Sequence, residues 1–282
     1  YDDRAIGFPS DDTQLAFWTL EQMTADGGFN SDRVAVKFCD NHIFGLGSSV
    51  RQFIANYRSG LPWHKCGPPS AGNGALMRIA PMLIPHLKPA STDLWVDTAL
   101  SAMLTHNDTG SIAACLAFVE MLRQLLQMSV PPDPLWWVES YVETAAGLET
   151  GKKYKPRGGR FVGYEGPVWR FVGEKVSLAW KEKLSVVDAC NQWYSGAYLL
   201  ETIPSVLYIM MCHGHDFEEA LVRAVNDTKD NDTIAASVGA LAGALHGKEK
   251  IPDRWLRNLS GRTTESDDGK VFEILEEAKR IW

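Results

Sequence analysis

Asn226 to Gly247 reads NDTKDNDTIAASVGALAGALHG, and this stretch decides how the rest of the chain is read. It places two carboxylates and a hydroxyl, Asp230, Asp232 and Thr233, at the start of a run of small and aliphatic residues with helical spacing. Ile234, Val238, Leu241 and Leu245 fall on one face, and Ala236, Gly239, Ala240 and Gly243 on another. A helix N-terminus is the positive end of the helix dipole and favours anions. Oxygen-only side chains gathered there form half of a site for a hard cation such as magnesium or manganese. The small face lets a neighbouring backbone approach closely, which suits helix ends that must share a metal.

The other half stands near the N-terminus. Ser10-Asp11-Asp12-Thr13 follow Pro9 and open a second helical pattern, Gln14 to Met23. Either acidic cluster alone is an ordinary helix cap. If the two meet in space, they make a carboxylate-rich two-metal centre. Between them lie Gly72-Asn73-Gly74-Ala75-Leu76-Met77-Arg78, then Thr105-His106-Asn107-Asp108, then Ser195-Gly196-Ala197-Tyr198-Leu199-Leu200-Glu201-Thr202-Ile203-Pro204.

These five motifs, in this order from about Pro9 to Gly247, resemble the ADP-ribosylglycohydrolases, the family of the dinitrogenase reductase activating glycohydrolase and the ADP-ribosyl-acceptor hydrolases. The resemblance implies an all-α fold, a single compact orthogonal helical bundle over 1–282, with two magnesium or manganese ions. Carried over residue by residue, it implies metal ligation by Ser10, Asp11 and Asp12 at one end and by Asp230, Asp232 and Thr233 at the other. Ser10 stands where the family usually has Thr and keeps the hydroxyl; Asn231 stands between the paired acids where Thr is usual. A larger departure is the junction at Gly7-Phe8-Pro9. Tyr1 to Gly7 looks like the start of the family's first helix, yet the segment that normally separates it from the acidic motif is missing here. In some members that segment carries a catalytic glutamate, and no residue is named for that role here.

Composition bounds the other possibilities. With 282 residues, 45% hydrophobic and 22% charged, the chain has the make-up of an ordinary globular protein. A net charge of −7 argues against nonspecific nucleic-acid binding. The most apolar stretch, Tyr198 to Cys212, contains Glu201 and Pro204 and is too short to span a bilayer. The five cysteines, Cys39, Cys66, Cys115, Cys190 and Cys212, form no Cys-x-x-Cys and read as reduced thiols of a cytoplasmic protein. His64 with Cys66, and His213 with His215, lack the further ligands of a zinc site.

Helical periodicity dominates the remainder. Ile112, Leu116, Val119, Leu122 and Leu126 make an apolar stripe through Thr109 to Gln127; Asp93 to Leu104 behaves similarly, and Leu199 to Cys212 is apolar nearly all round, as a central helix would be. One segment, at about 152–176, reads as an insertion. Its short alternating runs around Arg160 to Val162 and Val168 to Val172 predict a small β-hairpin. Arg157, Arg160 and Arg170, interleaved with Tyr154, Phe161, Tyr164 and Trp169, have the chemistry to meet a phosphate and an adenine ring, although a plain surface excursion has the same composition.

The remaining motifs supply substrate contacts. Gly72, Asn73 and Gly74 offer backbone N–H groups suited to a diphosphate, and His106 and Asn107 can bond ribose or phosphate oxygens. Asp108 reads as a helix cap, and Glu201, in an apolar helix, needs a partner. Asp12 and Asp232 are best placed to bridge or flank the metals and to carry catalysis. The expected activity is metal-dependent hydrolysis that removes ADP-ribose from arginine or serine side chains, with an ADP-ribosylated protein or ADP-ribose as ligand and an ADP-ribosylating toxin as a partner to be countered. The alternative is an inactive relative that binds ADP-ribose or a partner protein, since the family includes lens crystallins.

Overall fold

The structure, a computed structural model, describes residues 7–87 and 92–282. Of Tyr1 to Gly7, the stretch that resembles the start of the family's first helix, Tyr1 to Ile6 lie outside the described residues. Thirteen α-helices form among the described residues, and no sheet: α1 (Asp11–Asp26), α2 (Ser31–Asp40), α3 (Ser48–Arg58), α4 (Asp93–Thr105), α5 (Thr109–Leu125), α6 (Trp136–Leu148), α7 (Val168–Lys181), α8 (Val186–Trp193), α9 (Leu199–His213), α10 (Phe217–Asn226), α11 (Asn231–His246), α12 (Asp253–Leu256) and α13 (Lys270–Ile281). The all-α expectation holds. Two 3₁₀ segments, Leu76–Arg78 and Ala80–His86, lead from the glycine loop toward α4.

The predicted central helix is central. Every residue from Leu199 to Met211 of α9 is buried, and α5, α6, α7, α8, α10 and α11 pack around it. Pro204 removes one hydrogen bond from the middle of α9, and in the same turn the Ser205 hydroxyl donates to Glu201 O at 2.7 Å. Helix α1 stands where two apolar clusters meet. Leu15 and Trp18 pack with Phe38 and Phe53 in the smaller cluster, while Leu20 and Met23 belong to the larger one around α9. Apolar packing on both sides fixes the direction in which α1 presents its acidic first turn.

Two expectations are corrected. The hairpin at Arg160 to Val162 and Val168 to Val172 does not form; only an isolated bridge joins Tyr154 to Gly166, and α7 begins at Val168. Val168, Phe171, Val172, Val176 and Ala179 are its buried residues, so the apolar period continues at helical spacing beyond the window in which it resembled a strand. Pro167 precedes the first turn, and the buried Glu149 carboxylate accepts from Val168 N (2.6 Å) and Trp169 N (3.1 Å), which satisfies N–H groups left open at the helix start. The small face of α11 is the second correction. A Cβ on Gly239 would meet only the Leu221 side chain, at 3.5 Å, and one on Gly243 would meet nothing within 4 Å. At these two positions no backbone lies within 4 Å; the residues that α11 buries are Ile234, Ser237, Val238, Leu241 and Ala242.

No helix among the described residues is long and apolar enough to cross a membrane. All five cysteines are free thiols.

Candidate functional site

The acidic starts of α1 and α11 meet. Asp11, Asp12 and Asp232 each offer a carboxylate oxygen within 4.8 Å of the others. They open, with Asp230 and Thr233, onto a cavity of about 250 Å³ that is also lined by Gly72, Asn73, Gly74, His106 and Arg157. Four of the five sequence motifs therefore contribute side chains or backbone predicted to hold metal or substrate, and the fifth contributes Ala197 to the lining.

Several contacts fix the first acidic turn. Ser10 donates to Asp12 Oδ2 at 2.9 Å. Gln14 is fully buried and ties the helix start to distant backbone: its Nε2 donates to His42 O (3.0 Å) and Thr263 O (2.8 Å), and its Oε1 accepts from Phe44 N (2.9 Å). The loop so held brings Gly45 against Asp11, where a Cβ would come within 2.5 Å of Oδ1. Only glycine allows that approach.

The second acidic turn hangs from the chain before α9. Ser195 O accepts from Asp230 N at 3.0 Å and from Lys229 N at 3.3 Å. Tyr194 and Ser195 both hold positive φ, 79° and 44°, a conformation unfavourable for residues with a Cβ and characteristic of sites where backbone geometry matters. Asn73 Nδ2 donates to Asp230 Oδ2 at 2.5 Å and to Thr202 Oγ1 at 2.9 Å, and Thr202 Oγ1 donates to Gly196 O at 2.9 Å. The Asn73 side chain thus orients a carboxylate rather than reaching into open space.

Electrostatically the acidic cluster is uncompensated. Burial, then the charges of Asp232 and Asp11, push Asp12 up to about 7, against the opposing Thr233 and Ser10 hydroxyls. Burial raises Asp11 to about 6, with Asp232 and Asp230 adding to the rise. Asp230 is raised by burial too, although its bond from Asn73 opposes the shift. Asp12 Oδ1 is buried without a hydrogen-bond partner. Crowded carboxylates, Asp12 buried with an orphaned oxygen, Asp11 half-buried and Asp232 exposed, fit a hard divalent cation, which supplies the missing positive charge. The donor set of Asp11, Asp12 and Asp232 can hold a metal.

On the cavity's other side the glycine loop meets His106. A Cβ on Gly74 would lie 2.9 Å from His106 Cε1, and one on Gly72 3.2 Å from Nε2, so the ring occupies the room that glycine leaves. Gly72 N–H is already spent on Ser70 Oγ (3.2 Å), which subtracts one of the loop's expected donors. Burial, reinforced by Arg78, lowers His106 to about 3; it is neutral at physiological pH. Asn107 does not join the site: it is exposed, and its N–H donates to Pro68 O at 2.9 Å. Asp108 caps α5, accepting from Gly110 N (2.9 Å) and Ser111 N (3.3 Å).

The insertion reaches the cavity through Arg157. Its guanidinium makes a two-pronged pair with the buried Glu201, Nη2 to Oε2 at 2.6 Å and Nε to Oε1 at 3.0 Å, and lies 5.0 Å from the centre of the Tyr198 ring. Sequence had flagged both partners separately. Nothing in it links them, and although Gln14 and Ser195 lie within motifs, nothing there gives their roles, because their partners are backbone groups far along the chain.

A model of the ADP-ribosylglycohydrolase family matches residues 2–280. Over 91% of its length the chain is 24% identical to the ADP-ribosylarginine hydrolase Tri1 of Pseudomonas putida (strain GB-1), of which it spans 63%. It is 26% identical, over 89% of its length, to the ADP-ribosyl-(dinitrogen reductase) glycohydrolase of Rhodospirillum rubrum, covering 73% of that protein. Against the ADP-ribosylhydrolase ARH3 of Xenopus tropicalis the figures are 24% identity, 94% and 81%. A solved structure of an ADP-ribosylglycohydrolase-related protein complex superposes with a TM-score of 0.68 at 25% identity, covering 98% of this chain and 81% of that one.

Proposed function

Because the chain belongs to the ADP-ribosylglycohydrolase family, we propose that it is a metal-dependent hydrolase that removes ADP-ribose from a modified protein side chain. The observation that carries this reading is the buried, partnerless Asp12 Oδ1 among converging carboxylates, opening on the same cavity as the Gly72 to Gly74 loop and His106. The ligands are Ser10, Asp11, Asp12, Asp230, Asp232 and Thr233, with two magnesium or manganese ions as the cofactor. Held there, such ions would supply positive charge for sugar hydroxyls and for the attacking water.

The reaction replaces the bond from the ribose anomeric carbon to the acceptor nitrogen or oxygen with a bond to water oxygen, and one water proton leaves with the acceptor. Positive charge develops on the ribose as the acceptor departs. Asp12 and Asp232 supply negative charge at that end of the cavity. The Gly72 to Gly74 loop and His106 hold the rest of the ligand by hydrogen bonds, so the sugar is presented in one orientation. Asn73 and the Ser195 turn keep the Asp230 carboxylate in place during turnover.

The test is release of free ADP-ribose from mono-ADP-ribosylated arginine and serine substrates, with magnesium or manganese, comparing the intact protein with Asp232→Ala. Metal-dependent release that the substitution abolishes supports the hydrolase and names the acceptor. Binding of ADP-ribose without release from either substrate would replace the reading with that of an inactive binder.

A further inference from the structure

Arg78 is a fully buried guanidinium with no ion-pair partner recorded among the described residues. It ends the 3₁₀ segment Leu76–Arg78, lies 5.3 Å from the centre of the Phe38 ring, and turns its two terminal nitrogens to α4, while Nε has no hydrogen-bond partner. Nη1 donates to Ser101 Oγ (3.0 Å), and Nη2 to Ser101 O (2.8 Å) and Thr105 Oγ1 (2.8 Å). Burying a charge without a counter-charge is costly, and the reaction proposed above assigns Arg78 no part. Its last contact leads to the cavity, because Thr105 Oγ1 also lies 2.9 Å from His106 Nδ1.

Counting protons along this chain fixes the imidazole. A guanidinium only donates, so Thr105 Oγ1 must accept from Arg78. The hydroxyl then has one proton left to give, and His106 Nδ1 is the acceptor within reach. If Nδ1 carried the proton instead, two donors would point at the Thr105 oxygen, and its own proton would be buried without a partner, which is costly. Nδ1 therefore accepts and Nε2 carries the proton. Nε2 lies on the side of the ring where Gly72 presents no side chain, beside the cavity that both residues line. A second proton on the ring is opposed by burial and by the Arg78 charge.

We infer that Arg78 and Thr105 are positioning residues that lock His106 as the neutral Nε2–H tautomer, a fixed donor aimed at an acceptor oxygen of the ligand. The ligand's identity rests on the proposed function; the tautomer does not. A neutral, pre-oriented donor suits a phosphoryl or ribose oxygen, because it binds without adding a mobile charge beside the carboxylates.

The test is the ¹⁵N spectrum of the histidine rings in the full chain, with His106 assigned by its disappearance in His106→Gln. The expected result is an unprotonated-type shift at Nδ1 and a protonated-type shift at Nε2. Thr105→Val removes the relay while keeping the shape. It should mix the tautomers and weaken ADP-ribose binding by calorimetry about 10-fold, the size of one lost hydrogen bond. Thr105→Ser should restore both. A Nδ1–H tautomer in the unmodified protein overturns the proposal, as does a Thr105→Val protein whose tautomer is unchanged. Should Thr105→Val not fold, the spectra of the unmodified protein and of Thr105→Ser still decide. Because the spectra do not depend on turnover, a protein without hydrolase activity leaves this result standing, and the two failures are distinguishable.

Discussion

Asp108, Glu201 and Asp12 are equally buried, at 3%, 0% and 2% exposure, yet the fold treats the first two and the third in opposite ways. Asp108 is paired with Lys152, accepts from the Tyr154 hydroxyl at 2.7 Å and caps α5. Glu201 carries the two-pronged Arg157. Every one of those cations or hydroxyls comes from the insertion. Asp12 has only hydroxyls, those of Ser10 and Thr233, to set against its charge, and it faces two further carboxylates. The chain evidently has basic residues to spend beside this cavity and spends none on Asp11, Asp12 or Asp232. A buried carboxylate must be compensated or protonated, so the place the chain leaves uncompensated is where a cation from outside belongs.

The sharpest way to break this contrast is Asp12→Ala. Magnesium or manganese affinity, measured by calorimetry, should fall by more than the ~10–100-fold typical of groups that only orient a ligand. The same protein tests the electrostatics. With Asp12 raised to about 7 and Asp11 to about 6 from an ordinary value of 3.8, the folded state holds protons that the unfolded chain has already released. Metal-free protein should therefore be most stable below about pH 4 as far as these groups are concerned, and lose that contribution as pH rises toward 7. Denaturant melts in chelator should show the slope, added divalent cation should flatten it, and Asp12→Ala should lack most of it. A pH-independent difference between the two proteins would mean that neither burial nor like charge raises Asp12 in the folded state.

Next in size is Arg157→Ala. Removing one partner of a fully buried pair costs about 3–5 kcal/mol; here the guanidinium is half exposed, so about 1–3 kcal/mol is expected by denaturant unfolding. Adding Glu201→Gln to that variant should recover part of the loss, because no buried charge is then left alone. Full additivity of the two substitutions would show that the pair is not coupled. The smallest effect belongs to Lys152→Ala. Asp108 keeps Tyr154 and two backbone N–H groups, and Lys152 is substantially exposed, so the expected loss is below about 1 kcal/mol, read as a small drop in melting temperature. A loss larger than that of Arg157→Ala would reverse the ranking on which the comparison depends.

Much of this arrangement was legible along the chain, for identifiable reasons. Acidic residues before a helical apolar period mark helix starts: α11 begins at Asn231, within the expected acidic cluster, and α1 at Asp11, three residues ahead of the Gln14 to Met23 pattern. The unbroken apolar character of Leu199 to Met211 marks a helix buried on all sides. Where the reading failed, a short window was the cause. Val168 to Val172 alternates like a strand for five residues, and only the buried Val176 and Ala179 further on reveal α7. The small face of α11 failed for another reason: glycine and alanine permit a close neighbour without requiring one. Asn107 was grouped with His106 by adjacency, but at the end of α4 the chain turns and points the two residues in different directions, one buried and one exposed.

The sequence by itself determined the elements and the inventory of oxygen ligands, because helix periodicity, capping and side-chain chemistry are local properties carried by residues a few positions apart. Only the tertiary structure decided which carboxylates would be neutralised. That choice depends on distances between Asp12 and Asp232, Arg157 and Glu201, Lys152 and Asp108, and Arg78, Thr105 and His106, most of them far apart along the chain and each set by how α1, α4, α9, α11 and the insertion pack. Coulomb and hydrogen-bond energies change steeply over a few ångströms, and no pattern of spacing along the chain encodes them.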